Sequence, residues 1–266
     1  MTHTESAEPF VRYDVAHGVA TLTLDSPHNR NALSSTLLQQ LRQGLDDAAT
    51  DPHVRSIVLT HAGGTFCAGA DLREAGGADS GGTPADAAAD RTRTMIDLLR
   101  QILETPKPVV GQIDGHVRAG GMGIVGACDI VVAGPRTTFA LTEARLGLAA
   151  SIISLTVLPR LSPRAASRYF LTGERFGPEE ALAYGLVTIT ADDPSGTVAE
   201  LLAEFRECSP QGLAESKQLL TRQILEDFER HGADLAAQSA RLFGSVDAVE
   251  GVTAFLQRRP PSWAGP

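Results

Sequence analysis

The chain has 266 residues, of which 42% are hydrophobic, and a formal net charge of −9 from 23 basic and 32 acidic residues. That hydrophobic fraction is ordinary for a globular protein, so the composition argues against wholesale disorder. The acidic balance argues against a general nucleic-acid binder, which needs a basic surface.

In the first half of the chain, short β-branched runs alternate with stretches of helical spacing. Residues 10–24 predict a hairpin that turns at Gly18. A helix is predicted by the leucines at Leu37, Leu38, Leu41 and Leu45. Three further runs, at 56–61, 108–114 and 129–134, predict strands. Strands separated by helical stretches predict an α/β protein.

The remaining segments predict a loop and then a mainly helical end. Residues 75–90 are small and of low complexity, which predicts a mobile surface loop. Helix starts are predicted at the three pairs Ser162-Pro163, Gly177-Pro178 and Ser209-Pro210. We therefore predict an α/β core over residues 1–195 and a helical region over 196–266.

Cysteine usage and the N-terminus bear on the compartment. Three widely spaced cysteines, Cys67, Cys128 and Cys208, predict free thiols in a reducing environment rather than a disulfide framework or zinc ribbon. The first ten residues do not resemble a signal peptide, and apolar runs stop well short of the ~20 residues that span a bilayer. We predict a cytoplasmic protein with no membrane or nucleic-acid partner. The scattered histidines predict no metal site.

Two glycine-rich loops carry the best candidates for chemistry. In the loop at 63–74, glycines and alanines leave the backbone N–H groups open to a close-lying ligand. In the loop at 114–130, Gly120 and Gly121 open a predicted helix, whose first N–H groups are unpaired and carry partial positive charge. Either loop alone is weak evidence for function.

Together the two loops and a later segment match a family. FCAGADL, GHVRAGGMGIVGACDI and FALTEARLGL resemble, in order and spacing, the signature segments of the crotonase (enoyl-CoA hydratase/isomerase) superfamily. The resemblance runs from about residue 10 to residue 258. It implies an α/β fold, a spiral of ββα units with a helical C-terminal trimerisation region. It also implies an acyl-CoA substrate, a homotrimer or dimer of trimers, and no cofactor beyond the substrate's CoA.

The resemblance assigns three catalytic groups. The backbone N–H groups of Ala70 and Gly120 form an oxyanion hole for the thioester oxygen, and Glu143 moves the proton. Hydratases of this family usually have a second glutamate, and Gly123 stands at its place. We expect Gly123→Glu to raise hydration of a simple enoyl-CoA if that missing carboxylate is what limits the rate.

The single glutamate leaves the reaction open among three hypotheses. Segments such as VRAGGMGIVGACDI and RYFLTGERF resemble methylglutaconyl-CoA hydratases more than other single-glutamate members, which favours a lyase that hydrates a branched or carboxylated 2,3-enoyl-CoA. The alternatives are a Δ3,Δ2-enoyl-CoA isomerase and a catalytically silent acyl-CoA binder.

The resemblance also assigns substrate-binding positions. They are Arg30, Ala32, Ala68, Ala70, Asp71, Leu72, Arg73 and Arg258. Arg118 stands two residues before Gly120. Its forked guanidinium suits a carboxylate at the far end of the acyl group, and the alternative is a structural bridge to Asp114 or Asp71.

Overall fold

The structure is a computed structural model, and it describes residues 9–71, 74 and 84–265. The strands are β1 (Val11–Ala16), β2 (Val19–Leu24), β3 (Ser56–His61), β4 (Thr65–Cys67), β5 (Val109–Ile113), β6 (His116–Arg118), β7 (Ile130–Ala133), β8 (Thr138–Ala140) and β9 (Ile189–Thr190). The α-helices are α1 (Ser35–Thr50), α2 (Pro84–Glu104), α3 (Gly120–Ala127), α4 (Ser154–Val157), α5 (Pro163–Thr172), α6 (Pro178–Ala183), α7 (Pro194–Glu207), α8 (Pro210–Phe243) and α9 (Val246–Leu256). Short 3-10 helices cover Pro27–Asn29 and Glu143–Leu146.

The strands form a large and a small sheet, and the chain alternates between them. The large sheet has the order β1-β2-β3-β5-β7-β9, and the small sheet has the order β4-β6-β8. Apart from the antiparallel β1–β2 hairpin, all the pairs within the two sheets are parallel. Each of β3, β5 and β7 is followed by one strand of the small sheet and then by helical structure. This repeated ββα order confirms the α/β spiral that the sequence implied.

Both faces of the large sheet are covered. The main core lies on the side of α1, α2 and α3, whereas a second apolar cluster on the other face includes Val58, Val110 and Val132. Val198 of α7 belongs to that second cluster. Because α7 begins at Pro194, the predicted boundary between residues 195 and 196 falls inside this helix. The division itself stays a prediction.

A buried ion pair fixes α8 to the sheet. The Lys217 Nζ lies 2.8 Å from the Asp129 carboxylate and also donates to the Ile102 and Lys107 carbonyls. Burial lowers the pKa of Lys217, and the neighbouring Asp129 opposes that shift. Removing one partner of such a pair typically costs about 3–5 kcal/mol, because the other charge stays buried and unpaired. The helical C-terminal region is therefore held to the core by more than apolar contact.

Most predicted elements are confirmed. The hairpin, the leucine-spaced helix α1 and the strands β3, β5 and β7 form where expected, as do the helices that start at Pro163, Pro178 and Pro210. The Ser209 hydroxyl accepts a hydrogen bond from the Gly212 N–H at 3.0 Å, whereas Ser162 makes no such cap bond.

One prediction is partly wrong, since residues 84–90 form the first turns of α2 rather than a loop. Their sequence, PADAAAD, combines a helix-start proline with alanines of high helix propensity. The rest of that predicted loop, residues 75–83, lies outside the described residues. Among the described helices, none is long and apolar enough to cross a membrane.

Candidate active site

The three assigned catalytic groups follow the three strands of the small sheet. Ala70 comes shortly after β4, Gly120 begins α3 shortly after β6, and Glu143 begins a 3-10 helix shortly after β8. The β4–β6 and β6–β8 pairs are both parallel. Since parallel strands end at the same edge of a sheet, their carboxyl ends bring these three positions to one edge. This is the shared location that the sequence resemblance requires.

The two glycine-rich loops lie against each other at this edge. Gly69 has a φ of +95°, and a Cβ built there would lie 3.0 Å from the Ala119 Cβ. A side chain at position 69 would therefore be strained by its backbone angle and crowded by the second loop. Leu33 holds the first loop, because its N–H donates to the Gly69 carbonyl at 2.8 Å and it forms an isolated parallel bridge with Ala70.

The N–H groups of Ala70 and Gly120 are placed as hydrogen-bond donors. In the bridge, the Leu33 N–H donates to the Gly69 carbonyl and the Leu33 carbonyl accepts from the Asp71 N–H. The Ala70 N–H takes no part in either hydrogen bond. Gly120 is the first residue of α3, where N–H groups have no partner within the helix. Neither N–H finds an acceptor within the part of the chain that the structure describes. One donor at a helix start and one in the neighbouring loop suit an oxygen that gains negative charge.

Glu143 is a half-buried acid with one carboxylate oxygen that has no hydrogen-bond partner among the described residues. Its Oε2 is shielded from solvent and meets no donor among the described residues. Burial raises the pKa of Glu143 to about 7, against an ordinary value of 4.5. A carboxyl group with a pKa near neutrality both accepts and donates protons efficiently at physiological pH. The geometry therefore gives Glu143 the properties of an acid–base catalyst.

Ile153 fills the place where a second carboxylate would start. A Cβ built on Gly123 would lie 2.5 Å from the Ile153 Cγ2 and 3.4 Å from the Met95 Cε. Ile153 is held there because the Thr156 hydroxyl of α4 donates to the Gly123 carbonyl at 2.9 Å. A glutamate at position 123 therefore needs more room than the present backbone and Ile153 leave. The expectation that Gly123→Glu alone raises hydration has to be revised to include Ile153.

An apolar wall adjoins the two amides, and the sequence did not reveal it. A Cβ on Gly120 would lie 2.6 Å from the Leu33 Cδ1 and 3.9 Å from the Met95 Cε. Leu33, Met95 and Ile153 are all buried. Their positions come from three separate elements, so no spacing pattern along the chain could have grouped them.

The C-terminal helix α9 supports the segment that carries Glu143. A Cβ on Gly251 would lie 2.5 Å from the Leu146 carbonyl carbon, and one on Gly147 would lie 2.4 Å from that of Asp247. Close backbone packing of this kind needs glycine at both positions. The helical region therefore contributes to the geometry of the site within one chain.

Several of the assigned substrate-binding positions lie near the Leu33–Ala70 bridge. Ala32 and Ala68 are the neighbours in sequence of Leu33 and Gly69, and Asp71 accepts a hydrogen bond from the Asn29 side chain at 2.9 Å. Arg30 is exposed directly after the 3-10 helix Pro27–Asn29, with a φ of +58°. Leu72 and Arg73 lie outside the described residues. Arg258 is exposed just beyond the end of α9, and its assigned role toward a neighbouring subunit stays a prediction.

Arg118 makes neither of the structural bridges that the sequence suggested. Asp114 pairs instead with Arg136 at 2.6 Å, and no carboxylate among the described residues lies within ion-pair distance of Arg118. The Arg118 guanidinium donates to the Val117 and Thr138 carbonyls and to the Thr138 hydroxyl. Burial and the nearby Arg175 lower the pKa of Arg118 to about 10. Contact with a distal acyl carboxylate stays a prediction.

Cys67 lies beside the site but lacks the properties of a nucleophile. Its side chain is fully buried, and a Cβ on Gly121 would lie 2.6 Å from the Cys67 Cβ. Burial raises the pKa of the Cys67 thiol to about 12, which disfavours the reactive thiolate. Across the ranges that the structure describes, no group of three or more histidine, cysteine and acidic side chains could hold a metal ion.

Comparison with known proteins points to one family. The family model described as "Enoyl-CoA hydratase/isomerase" matches residues 14–266. A probable enoyl-CoA hydratase of Bacillus subtilis is 35% identical, over 93% of this chain and 95% of that protein. The 1,2-epoxyphenylacetyl-CoA isomerase of Escherichia coli is 32% identical, over 96% and 98%. The crystal structure of an enoyl-CoA hydratase from Mycobacterium avium has a TM-score of 0.89 at 53% identity, over 96% and 99%.

Proposed function

The chain belongs to the enoyl-CoA hydratase/isomerase family, and on that premise we propose that it is an enoyl-CoA hydratase. It adds water reversibly across the 2,3-double bond of an acyl-CoA thioester. The observation that carries the proposal is the shared edge of the small sheet, where Ala70, Gly120 and Glu143 follow three neighbouring parallel strands.

The two backbone amides stabilise the charge that forms during the reaction. As the water oxygen attacks C3, the electrons of the double bond move toward the thioester oxygen. The Ala70 and Gly120 N–H groups then hydrogen-bond an oxygen that carries more negative charge than in the substrate. One such donor is typically worth about 3–4 kcal/mol of transition-state stabilisation.

Glu143 supplies the proton transfer. In its ionised form it takes a proton from the attacking water, and it then delivers a proton to C2 of the enolate. Its raised pKa supports both steps at neutral pH. Since no second carboxylate stands at position 123, Glu143 carries both steps alone.

The direct test is hydration of crotonyl-CoA and of a branched enoyl-CoA, followed by the loss of the thioester–enone absorbance. We expect turnover with at least one of the two substrates, and a loss of about 10²–10⁴-fold in kcat for Glu143→Gln. Glu200→Gln, on the exposed side of α7, is the matched control and should leave kcat unchanged. No turnover of either substrate at high enzyme concentration would contradict the proposal.

One observation favours a second candidate, a Δ3,Δ2-enoyl-CoA isomerase. Ile153 and Met95 fill the space at Gly123, so the position of a second water-binding group is apolar. Relocating a proton along an allylic enolate needs only one acid–base group. Supplying a 3-enoyl-CoA separates the two activities, because an isomerase yields the conjugated enoyl-CoA with little hydroxyacyl product. If Glu143→Gln alters no turnover while acyl-CoA still binds, the protein is instead a silent binder.

The substrate's acyl group and the assembly are part of the same proposal. We expect a branched or carboxylated acyl group, no cofactor beyond the CoA of the substrate, a cytoplasmic location, and a role in lipid metabolism. We also expect a homotrimer or a dimer of trimers. Exposed apolar side chains of the helical region support such an assembly: Leu219, Leu220, Val246, Val249, Phe255 and Leu256. Sedimentation of the purified protein measures the assembly directly.

A further inference from the structure

The outer face of the small sheet carries several basic and polar side chains. His116 and Arg118 flank the buried Val117 in β6, so strand alternation turns both away from the core. Thr138 pairs in register with His116 and shares that face. The His116 Nδ1 lies 2.9 Å from the Thr138 hydroxyl.

A second arginine joins this face from beyond β8. Ala140 is the register partner of Arg118. Phe139 exchanges two backbone hydrogen bonds with Phe176, of 2.9 and 3.1 Å, in an antiparallel bridge, which sets Arg175 opposite Ala140. Arg118 and Arg175 are thus two strand spacings apart, about 10 Å between Cα atoms, with only a methyl group between them. Long side chains separated in this way can converge on one small ion.

Arg118 is oriented with a free edge. Its Nη1 donates to the Val117 and Thr138 carbonyls, and its Nη2 donates to the Thr138 hydroxyl at 2.8 Å. A guanidinium has five N–H donors, so the Nε–H and one Nη2 hydrogen have no partner within the described part of the chain. Those two hydrogens lie on one side of the guanidinium and match two oxygens of an anion.

Positive charge on this face is not balanced. No carboxylate of the described ranges is within 4 Å of the guanidinium of Arg118 or Arg175, although Arg136 and Arg168 each pair with an acid. The pKa of His116 is lowered, first by burial and then by the positive charges of Arg118, Arg175 and Arg30. Although the net charge of the protein is −9, these basic side chains repel one another locally. Binding of an anion relieves that repulsion.

We propose that Arg118, Arg175, His116 and Thr138 form a binding site for a phosphate group. A tetrahedral phosphate offers several acceptor oxygens, which suits donors arriving from both sides of Ala140 better than one carboxylate does. The phosphate comes either from the CoA part of the substrate or from free phosphate. The first source is suggested by Arg30, an assigned substrate-binding position, whose charge acts on His116. The site stands on its own geometry and does not depend on the hydration activity.

Calorimetric titration of the full-length protein with inorganic phosphate, CoA and 3′-dephospho-CoA tests the site. The variant is Arg175→Gln, at an exposed position with no ion pair to lose. Arg206→Gln, exposed on α7, removes the same charge elsewhere and serves as the control. We expect Arg175→Gln to weaken binding of at least one of these ligands about ten- to a hundredfold, and Arg206→Gln to leave it unchanged.

The ligands distinguish the source of the phosphate. Weaker binding of CoA but not of 3′-dephospho-CoA assigns the site to the 3′-phosphate, and equal weakening of both assigns it to the diphosphate. Weaker binding of inorganic phosphate alone assigns it to free phosphate. The proposal is overturned if binding of all three is unchanged in Arg175→Gln. It is equally overturned if the variant only lowers the oligomeric state in sedimentation, because a partner carboxylate then occupies the face.

Discussion

Two helix starts at the same edge of the small sheet supply opposite kinds of chemistry. The start of α3 is rich in glycine and offers backbone N–H groups beside Leu33, Met95 and Ile153. The 3-10 helix that follows β8 offers a side chain instead, that of Glu143, whose Oε2 is buried and has no partner among the described residues. A fixed, uncharged donor can stand beside apolar side chains at little cost, whereas a carboxyl group there changes its pKa.

The contrast also shows how an acid can be absent without leaving a cavity. Gly123 has no side chain, yet the space beside it is filled by Ile153, the residue directly before α4. Empty volume in a core is destabilising, so a missing side chain and a larger neighbour are expected together. Gly123 and Ile153 therefore act as one unit and are best tested as one.

The largest expected effect comes from removing the donor at the start of α3. Gly120→Pro deletes the N–H, and we expect kcat to fall about 10²–10³-fold, the usual loss for one oxyanion-hole donor. Because a Cβ there would meet Leu33 at 2.6 Å, the substitution is made in a Leu33→Ala background. Steady-state hydration of crotonyl-CoA measures the change.

Gly120→Ala in that same Leu33→Ala background is the control, since it adds the Cβ but keeps the N–H. Equal rates for the proline and alanine variants would mean that the Gly120 amide does not act in catalysis. Circular dichroism of both variants checks that α3 still forms.

A smaller effect is expected from placing a carboxylate at position 123, beside the apolar side chain of Ile153. We expect Gly123→Glu combined with Ile153→Ala to raise hydration of crotonyl-CoA about ten- to a hundredfold, because a second acid–base group can then contribute. Gly123→Glu alone should lower the rate, since the Ile153 Cγ2 stands 2.5 Å from the new Cβ. A double-mutant cycle on kcat/KM measures the coupling.

Additive effects of the two substitutions would show that Ile153 does not control this position. The single variant Ile153→Ala completes the cycle and reports what the enlarged space does by itself.

The smallest effect concerns stability and its pH dependence. The pKa of Glu143 is raised to about 7 from 4.5, so its stabilising contribution is fully present below about pH 4.5 and is lost as the pH rises through 7. We expect Glu143→Gln to increase the free energy of unfolding by about 1–2 kcal/mol at pH 8 and by little at pH 4.5. Urea unfolding at both pH values measures this. A gain of the same size at both would show that Glu143 does not titrate in this range.

The same titration predicts the pH dependence of activity. Because the ionised form of Glu143 accepts the proton from water, kcat/KM should rise with pH and level off above about 7. A pH-independent kcat/KM between pH 5 and 9 would contradict the role of Glu143 as the base.

Sequence patterns predicted the large sheet far better than the small one. The runs at β3, β5 and β7 are long enough, and rich enough in β-branched residues, to predict strands on their own. The strands β4, β6 and β8 have three residues each, and β4 and β6 lie next to glycine-rich turns. Such short segments form strands only because parallel neighbours supply their hydrogen bonds.

The amino-acid sequence by itself determined the family pattern, the two glycine-rich loops and the lone Glu143, because these depend on residue type and spacing along the chain. Only the tertiary structure decided what surrounds them. Ile153 packs against Gly123, which is 30 positions away in the chain. Arg175 lies beside Arg118, which is 57 positions away. Packing and charge at a site depend on distance in space, which local spacing does not encode.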